Sequence, residues 1–170
     1  MIRAAKFAAL SHFGQTRKDG RTPYINHPVR VALILRRAGV TDADVLQAAL
    51  LHDTVEDTDV TAADLERQFG AAVAALVLEV SDDKSLPKAE RKRLQLIAPY
   101  SLGAALIKVG DKTVNLQDIV NAPPPWPRAR KLAYFEHART LVDRLCAEHD
   151  IPLALRDAFD QIYNTGVDTL

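Results

Sequence analysis

The chain reads as an all-α protein. Apolar residues recur at helical spacing almost throughout, and no stretch alternates apolar and polar residues long enough to make a strand. Capping residues, first-turn prolines and a stop glycine punctuate that pattern where helices of ordinary length should begin and end.

Taken in order, the pattern predicts helices near 2–13, 28–38, 42–57, 62–80, 88–98, 102–121, 128–148 and 153–163. In the first, Lys6 interrupts the apolar residues, which argues against a signal peptide. Pro28 suits the first turn of the second, and Gly39 suits its C-terminal stop. Thr41-x-x-Asp44 and Thr61-x-x-Asp64 resemble capping boxes at the starts of the next two. The fifth is basic, reading Lys-Ala-Glu-Arg-Lys-Arg over 88–93. Pro127 and Pro152 suit first-turn positions of the last two. Between helices, Gln15 to Tyr24 carries Gly20, Pro23 and three bases and reads as an ordered surface loop. Ala122-Pro123-Pro124-Pro125-Trp126-Pro127 reads as a stiff connector, with Trp126 as a packing anchor.

At 170 residues the chain is most simply one domain, long enough to bury a substantial core. Its 22 basic and 22 acidic side chains cancel, so bulk charge predicts neither nucleic-acid nor membrane binding. The longest apolar stretch, Ala71 to Leu78, falls far short of a membrane span. A single cysteine, Cys146, excludes an intrachain disulfide framework, suits a reducing compartment, and reads as a buried inert thiol. A cytoplasmic protein is expected.

Charge is local instead. Residues 53–59 hold four acids and no base. On a helix through 48–58, His52, Asp53, Glu56 and Asp57 share one face, and Asp53 repels Asp57 at i,i+4 by roughly a few tenths of a kcal/mol. A lone His-Asp pair is ordinarily part of a solvated acidic helix end. Two further pieces favour a divalent cation. His27 precedes Pro28, so a rigid boundary aims its ring at a helix start. Asp111 follows the apolar Ala104 to Ile107, and a carboxylate carried into a core needs a partner. His27, His52, Asp53 and Asp111 then make a sulfur-free set of two nitrogens and two oxygens. That set suits Mn²⁺ or Fe²⁺, is compatible with Zn²⁺, and leaves positions for water and a substrate oxygen.

The arrangement His27 … His52-Asp53 … Asp111 resembles the HD phosphohydrolase superfamily, an all-helical group named for its metal-binding His-Asp pair. Arg17-Lys18-Asp19-Gly20, Thr22 to Pro28, Gln47 to Thr58 and Phe69-Gly70 are similar to the hydrolase domain of RelA/SpoT proteins. Ser81-Asp82-Asp83-Lys84 with Leu86-Pro87-Lys88-x-Glu90-Arg91-Lys92 is similar to the stand-alone small alarmone hydrolases, the metazoan SpoT homologues among them. The resemblance covers about residues 3–145 of one HD hydrolase domain spanning 1–170, the stretch 150–170 forming a C-terminal helix without a motif.

The resemblance implies an HD-type helical bundle and Mn²⁺-dependent removal of the 3′-pyrophosphate of guanosine tetra- or pentaphosphate, leaving GDP or GTP. It implies His27, His52, Asp53 and Asp111 as metal ligands and Glu56 with Asp57 as the catalytic acidic pair, one turn beyond the His-Asp pair and near enough to orient or deprotonate a water. Arg17 and Lys18 match a pair flanking the guanine, and Asn115 a ribose-contacting position. Tyr24 either covers the base or packs behind the His27 turn. Lys88 above all, with Lys84, Arg91 and Lys112, suits pyrophosphate oxygens, which need cationic neighbours. Gln117 stands where these hydrolases usually have Arg, and Thr113-Val114 replaces a more usual Leu and aromatic ring, so substrate preference rather than catalysis is affected. A phosphatase acting on the 2′-phosphate of NADPH, or on another nucleotide, is the alternative. A non-catalytic nucleotide sensor is a third reading, disfavoured because the ligands and the acidic pair are retained. The family allows a monomer or a homodimer.

Overall fold

The computed structural model describes all 170 residues, Met1 to Leu170. Ten helices follow one another: α1 (Ile2–Ser11), α2 (Asn26–Arg37), α3 (Ala43–Leu51), α4 (Thr54–Asp57), α5 (Ala62–Phe69), α6 (Ala71–Val80), α7 (Lys88–Gln95), α8 (Leu102–Asn121), α9 (Arg128–Glu148) and α10 (Leu153–Thr169). The only extended pairing is an isolated bridge between Thr16 and Pro23. All-α is therefore the observed class.

The helix α8 is the axis of the molecule and packs against α2, α3, α6, α9 and α10. Its segment from Ala104 to Val114 is buried at every position. Around it lies a contiguous apolar core that includes Leu35, Leu51, Ile107, Phe135 and Phe159. Two helices predicted as continuous are broken. The 62–80 helix divides at Gly70, whose φ of 91° is a left-handed conformation that costs glycine little. The 42–57 helix divides at His52-Asp53 without glycine or proline. There Thr54 Oγ1 donates to the Leu51 carbonyl at 2.7 Å and His52 Nδ1 lies 2.9 Å from the Ala49 carbonyl, so side chains take carbonyls that a continuing helix would use.

Side-chain caps mark the starts of α3, α5 and α8. Thr61 and Asp64 form the predicted capping box. At α3 the cap is Asp42 rather than Thr41, its carboxylate accepting from the Asp44 and Val45 amides. Pro127 and Pro152 occupy the capping positions, one residue before the first turn. The last helix outruns its predicted end at 163 because it packs along α8, α9 and α2. The loop 15–24 is ordered as expected: the Arg17 amide donates to the Thr22 carbonyl, and the Asp19 carboxylate accepts from the Arg21 and Thr22 amides. Trp126 is half-buried against the core. Cys146 is half-buried, and burial pushes its thiol up.

Candidate metal and nucleotide site

Three elements converge on one point. The start of α2 supplies His27, the break between α3 and α4 supplies His52 and Asp53, and the buried middle of α8 supplies Asp111. The His27 and His52 Nε2 atoms face each other at 3.3 Å. Asp53 Oδ2 lies 3.2 Å from His52 Nε2 and 3.5 Å from His27 Nε2. Asp111 Oδ1 lies 3.1 Å from His27 Nε2 and 3.8 Å from His52 Nε2. One ligand atom each from His27, His52 and Asp53 falls within 4.8 Å of the others, a group able to hold a metal ion.

The chemistry of these donors fits a divalent cation. The Ala49 carbonyl takes the hydrogen on His52 Nδ1, which turns Nε2 inward, where a metal ion would take the place of its proton. Burial opposes protonation of His52, yet the field of Asp53 and Asp111 overcomes it and lifts the ring to about 10. Burial dominates at His27 and lowers its value. Against burial, the His52 ring holds Asp53 below the carboxylate range, and Lys112 with the two imidazoles does the same for Asp111. Both carboxylates are thus ionised in a place that draws positive charge. The buried His27 Nδ1 has no hydrogen-bond partner.

Most of the rest of the predicted constellation lines the same cavity, of about 320 Å³: Arg17, Lys18, Tyr24, Glu56, Asp57, Lys112 and Asn115. Tyr24 does pack behind His27, and its hydroxyl lies 2.7 Å from Asp53 Oδ2 and 3.1 Å from Asp57 Oδ2. Asp57 also pairs with Lys84, which neutralises it. Glu56 accepts from the Asp82 amide at 3.0 Å. Burial raises its carboxyl, with Asp53, Asp82 and Asp57 acting in the same direction and the Asp82 amide against them. Lys112 Nζ lies 3.2 Å from Asp111 Oδ2, and that carboxylate raises its value despite burial.

Arg17 is more constrained than a residue left to stack on a base. Its Nε donates to Asp118 at 2.8 Å and its Nη2 to Asn115 Oδ1 at 2.7 Å, with the guanidinium 5.2 Å from the Tyr24 ring centre. Asn115 in turn donates to Asp111 Oδ1 at 2.5 Å, so it joins Arg17 to the carboxylate that faces the two imidazoles. Gln117 accepts from Arg30 at 2.8 Å, and Arg30 also pairs with Asp118. A cation thus stands beside Gln117 although the helix carries none there.

Lys88 lies outside this cavity. It lines two smaller recesses, one with Lys18, Trp126 and Tyr134 and one with Arg91, Lys112 and Tyr134. The exposed start of α7 holds it away from the cavity floor. Sequence reasoning gave no site role to Asp82, Gln95, Lys108 or Tyr134, all of which line the cavity. Asp82 and Lys108 fall inside recognisable stretches, but nothing in their spacing says which way they face. Gln95 and Tyr134 carry no sequence signal at all.

The HD domain family model matches residues 4–136. Over 167 residues the chain is 52% identical to the guanosine-3′,5′-bis(diphosphate) 3′-pyrophosphohydrolase MESH1 of Homo sapiens, covering 95% of this chain and 93% of that protein. The protein of the same name from Drosophila melanogaster is 48% identical over 162 residues, covering 92% and 90% of the two chains. A solved structure, described as a metazoan ortholog of SpoT that hydrolyzes ppGpp and plays a role in starvation responses, superposes with a TM-score of 0.89 at 44% identity, covering 96% of this chain and 93% of that one. With the His-Asp pair at the break of its third predicted helix and this likeness along nearly its whole length, the chain belongs to the HD-domain family, in the branch of the guanosine-3′,5′-bis(diphosphate) 3′-pyrophosphohydrolases.

Proposed function

We propose that this protein hydrolyses guanosine tetra- and pentaphosphate at the 3′ position: water adds to the inner phosphorus of the 3′-diphosphate, the bond to the ribose 3′-oxygen breaks, and GDP or GTP leaves with pyrophosphate. The observation that carries the reading is the convergence of His27, His52, Asp53 and Asp111 at the base of a cavity that also holds Arg17, Lys18, Lys112 and Asn115. Those four side chains would hold a divalent ion, Mn²⁺ by preference with Fe²⁺ or Zn²⁺ compatible, which supplies Lewis-acid polarisation of a phosphoryl oxygen and acidifies water.

The protein's own groups do the remaining work. Glu56, with one oxygen on the Asp82 amide, has the other available to take a proton from water. Asp57, neutralised by Lys84 and tied to the Tyr24 hydroxyl, orients rather than accepts. Lys112 meets the charge on the attacked diphosphate, and the proton that Glu56 takes from water returns to the ribose 3′-oxygen as its bond to phosphorus breaks. Lys18 and Arg17 border the space for the base, and Asn115 that for the ribose, while Lys88 waits in the neighbouring recess for more distant phosphate oxygens.

A substrate panel with Mn²⁺ tests this. Pyrophosphate release from guanosine tetraphosphate is the expected outcome. Much faster orthophosphate release from NADPH would replace the reading with a 2′-phosphatase, and nucleotide binding without turnover would replace it with a sensor.

A further inference from the structure

Glu56 makes its one hydrogen bond to a backbone amide, so its position is only as good as the peptide that carries that amide. This peptide belongs to the loop between α6 and α7, and neighbouring helices hold the residues on both sides of it, Val80 by its carbonyl and Asp82 by its side chain. The buried Lys108 of α8 donates to the Val80 carbonyl at 2.6 Å. On the other side, Gln95 Nε2 at the end of α7 reaches both oxygens of Asp82, at 2.9 and 2.7 Å. Gln95 Oε1 lies 2.9 Å from His137 Nε2 on α9. Because the amide nitrogen of Gln95 faces a carboxylate, its oxygen must accept, and the hydrogen of His137 sits on Nε2. Burial, with the Lys112 and Lys92 cations, holds that ring down to about 4, so it is neutral at physiological pH.

The donor directions therefore run one way, from His137 through Gln95 to Asp82, whose amide meets Glu56. The helix α7 buries no residue, so these polar links do much to hold it in place. We infer that Asp82, Gln95 and His137 are positioning residues for Glu56, a chain from α9 that sets the carboxylate where it meets water. The inference rests on the assignment of Glu56 as the proton-handling group. A misplaced base costs rate rather than binding, by about 10- to 100-fold for outer contacts of this kind.

The test uses the Mn²⁺-loaded protein with guanosine tetraphosphate. Gln95→Leu should lower kcat by about 10- to 100-fold, with KM and metal content unchanged. His137→Leu should lower kcat by less, and His137→Gln, which restores an amide N–H near the same place, should recover most of the loss. In a Glu56→Gln background the Gln95→Leu change should cost nothing more, because the group it positions no longer takes a proton. Wild-type kcat in Gln95→Leu, a rise in KM alone, or an undiminished loss in the Glu56→Gln background would overturn the inference. Should Gln95→Leu fail to fold, the His137 pair carries the same comparison at the outer link. Full activity in Glu56→Gln itself would overturn the reading beneath, and the two failures are thereby distinguishable.

Discussion

Asp53 shows how much hangs on one carboxylate. It faces both inward imidazole nitrogens within 3.5 Å and accepts from Tyr24. Asp53→Ala should remove metal and activity together, and elemental analysis of the purified variant checks it: full metal content would exclude Asp53 as a ligand. Glu56→Gln keeps shape and the contact with the Asp82 amide but loses the basic oxygen. Turnover should fall by about 10²–10⁴ with metal retained, which single-turnover assays read directly. At this scale the sequence announces residue types well. His27, His52, Asp53 and Asp111 were legible because imidazoles and carboxylates among apolar residues need a reason to be there. Asp82, Gln95 and His137 were not, since their roles lie in contacts spanning 13 to 42 residues that no local pattern encodes.

Among the elements, helices were legible and their interruptions were not. Periodicity reports which face is buried, and an interruption of one residue at Gly70 or two at His52-Asp53 is too short to stand out in it. Gly166 makes the same point about packing. In a helix it reads as a mild weakness, and alanine would be expected to gain about 1 kcal/mol there. A Cβ at that position would meet the Phe135 ring at 2.0 Å, and Phe135 is fully buried. Overpacking of this kind costs about 1–3 kcal/mol, so Gly166→Ala should destabilise the protein, seen as a lower urea midpoint. A rise in the midpoint would mean that α9 and α10 yield easily.

The whole molecule is a set of helices arranged to carry charge into the middle of an apolar core. The buried run of α8 brings Lys108, Asp111 and Lys112 inside, and the cavity opposite brings His27, His52 and Asp53 to meet them. A cation bound there would tie α2, the α3–α4 break and α8 together, and would favour the folded state. Mn²⁺ at a hundredfold excess over its dissociation constant should therefore stabilise the protein by about 2.7 kcal/mol, removed by a chelator. Calorimetry with and without the ion reads this, and the Asp53→Ala protein should show no response. The helical class and the branch of the family were open to the sequence alone, because these depend on residue identity and spacing along the chain. The tertiary structure decided that Arg17 is shared between Asn115 and Asp118, that Lys88 stands outside the cavity, and that Glu56 leans on a loop held from α7 and α8. Those are facts of direction, and a side chain's direction is settled by what packs around it rather than by its neighbours in sequence.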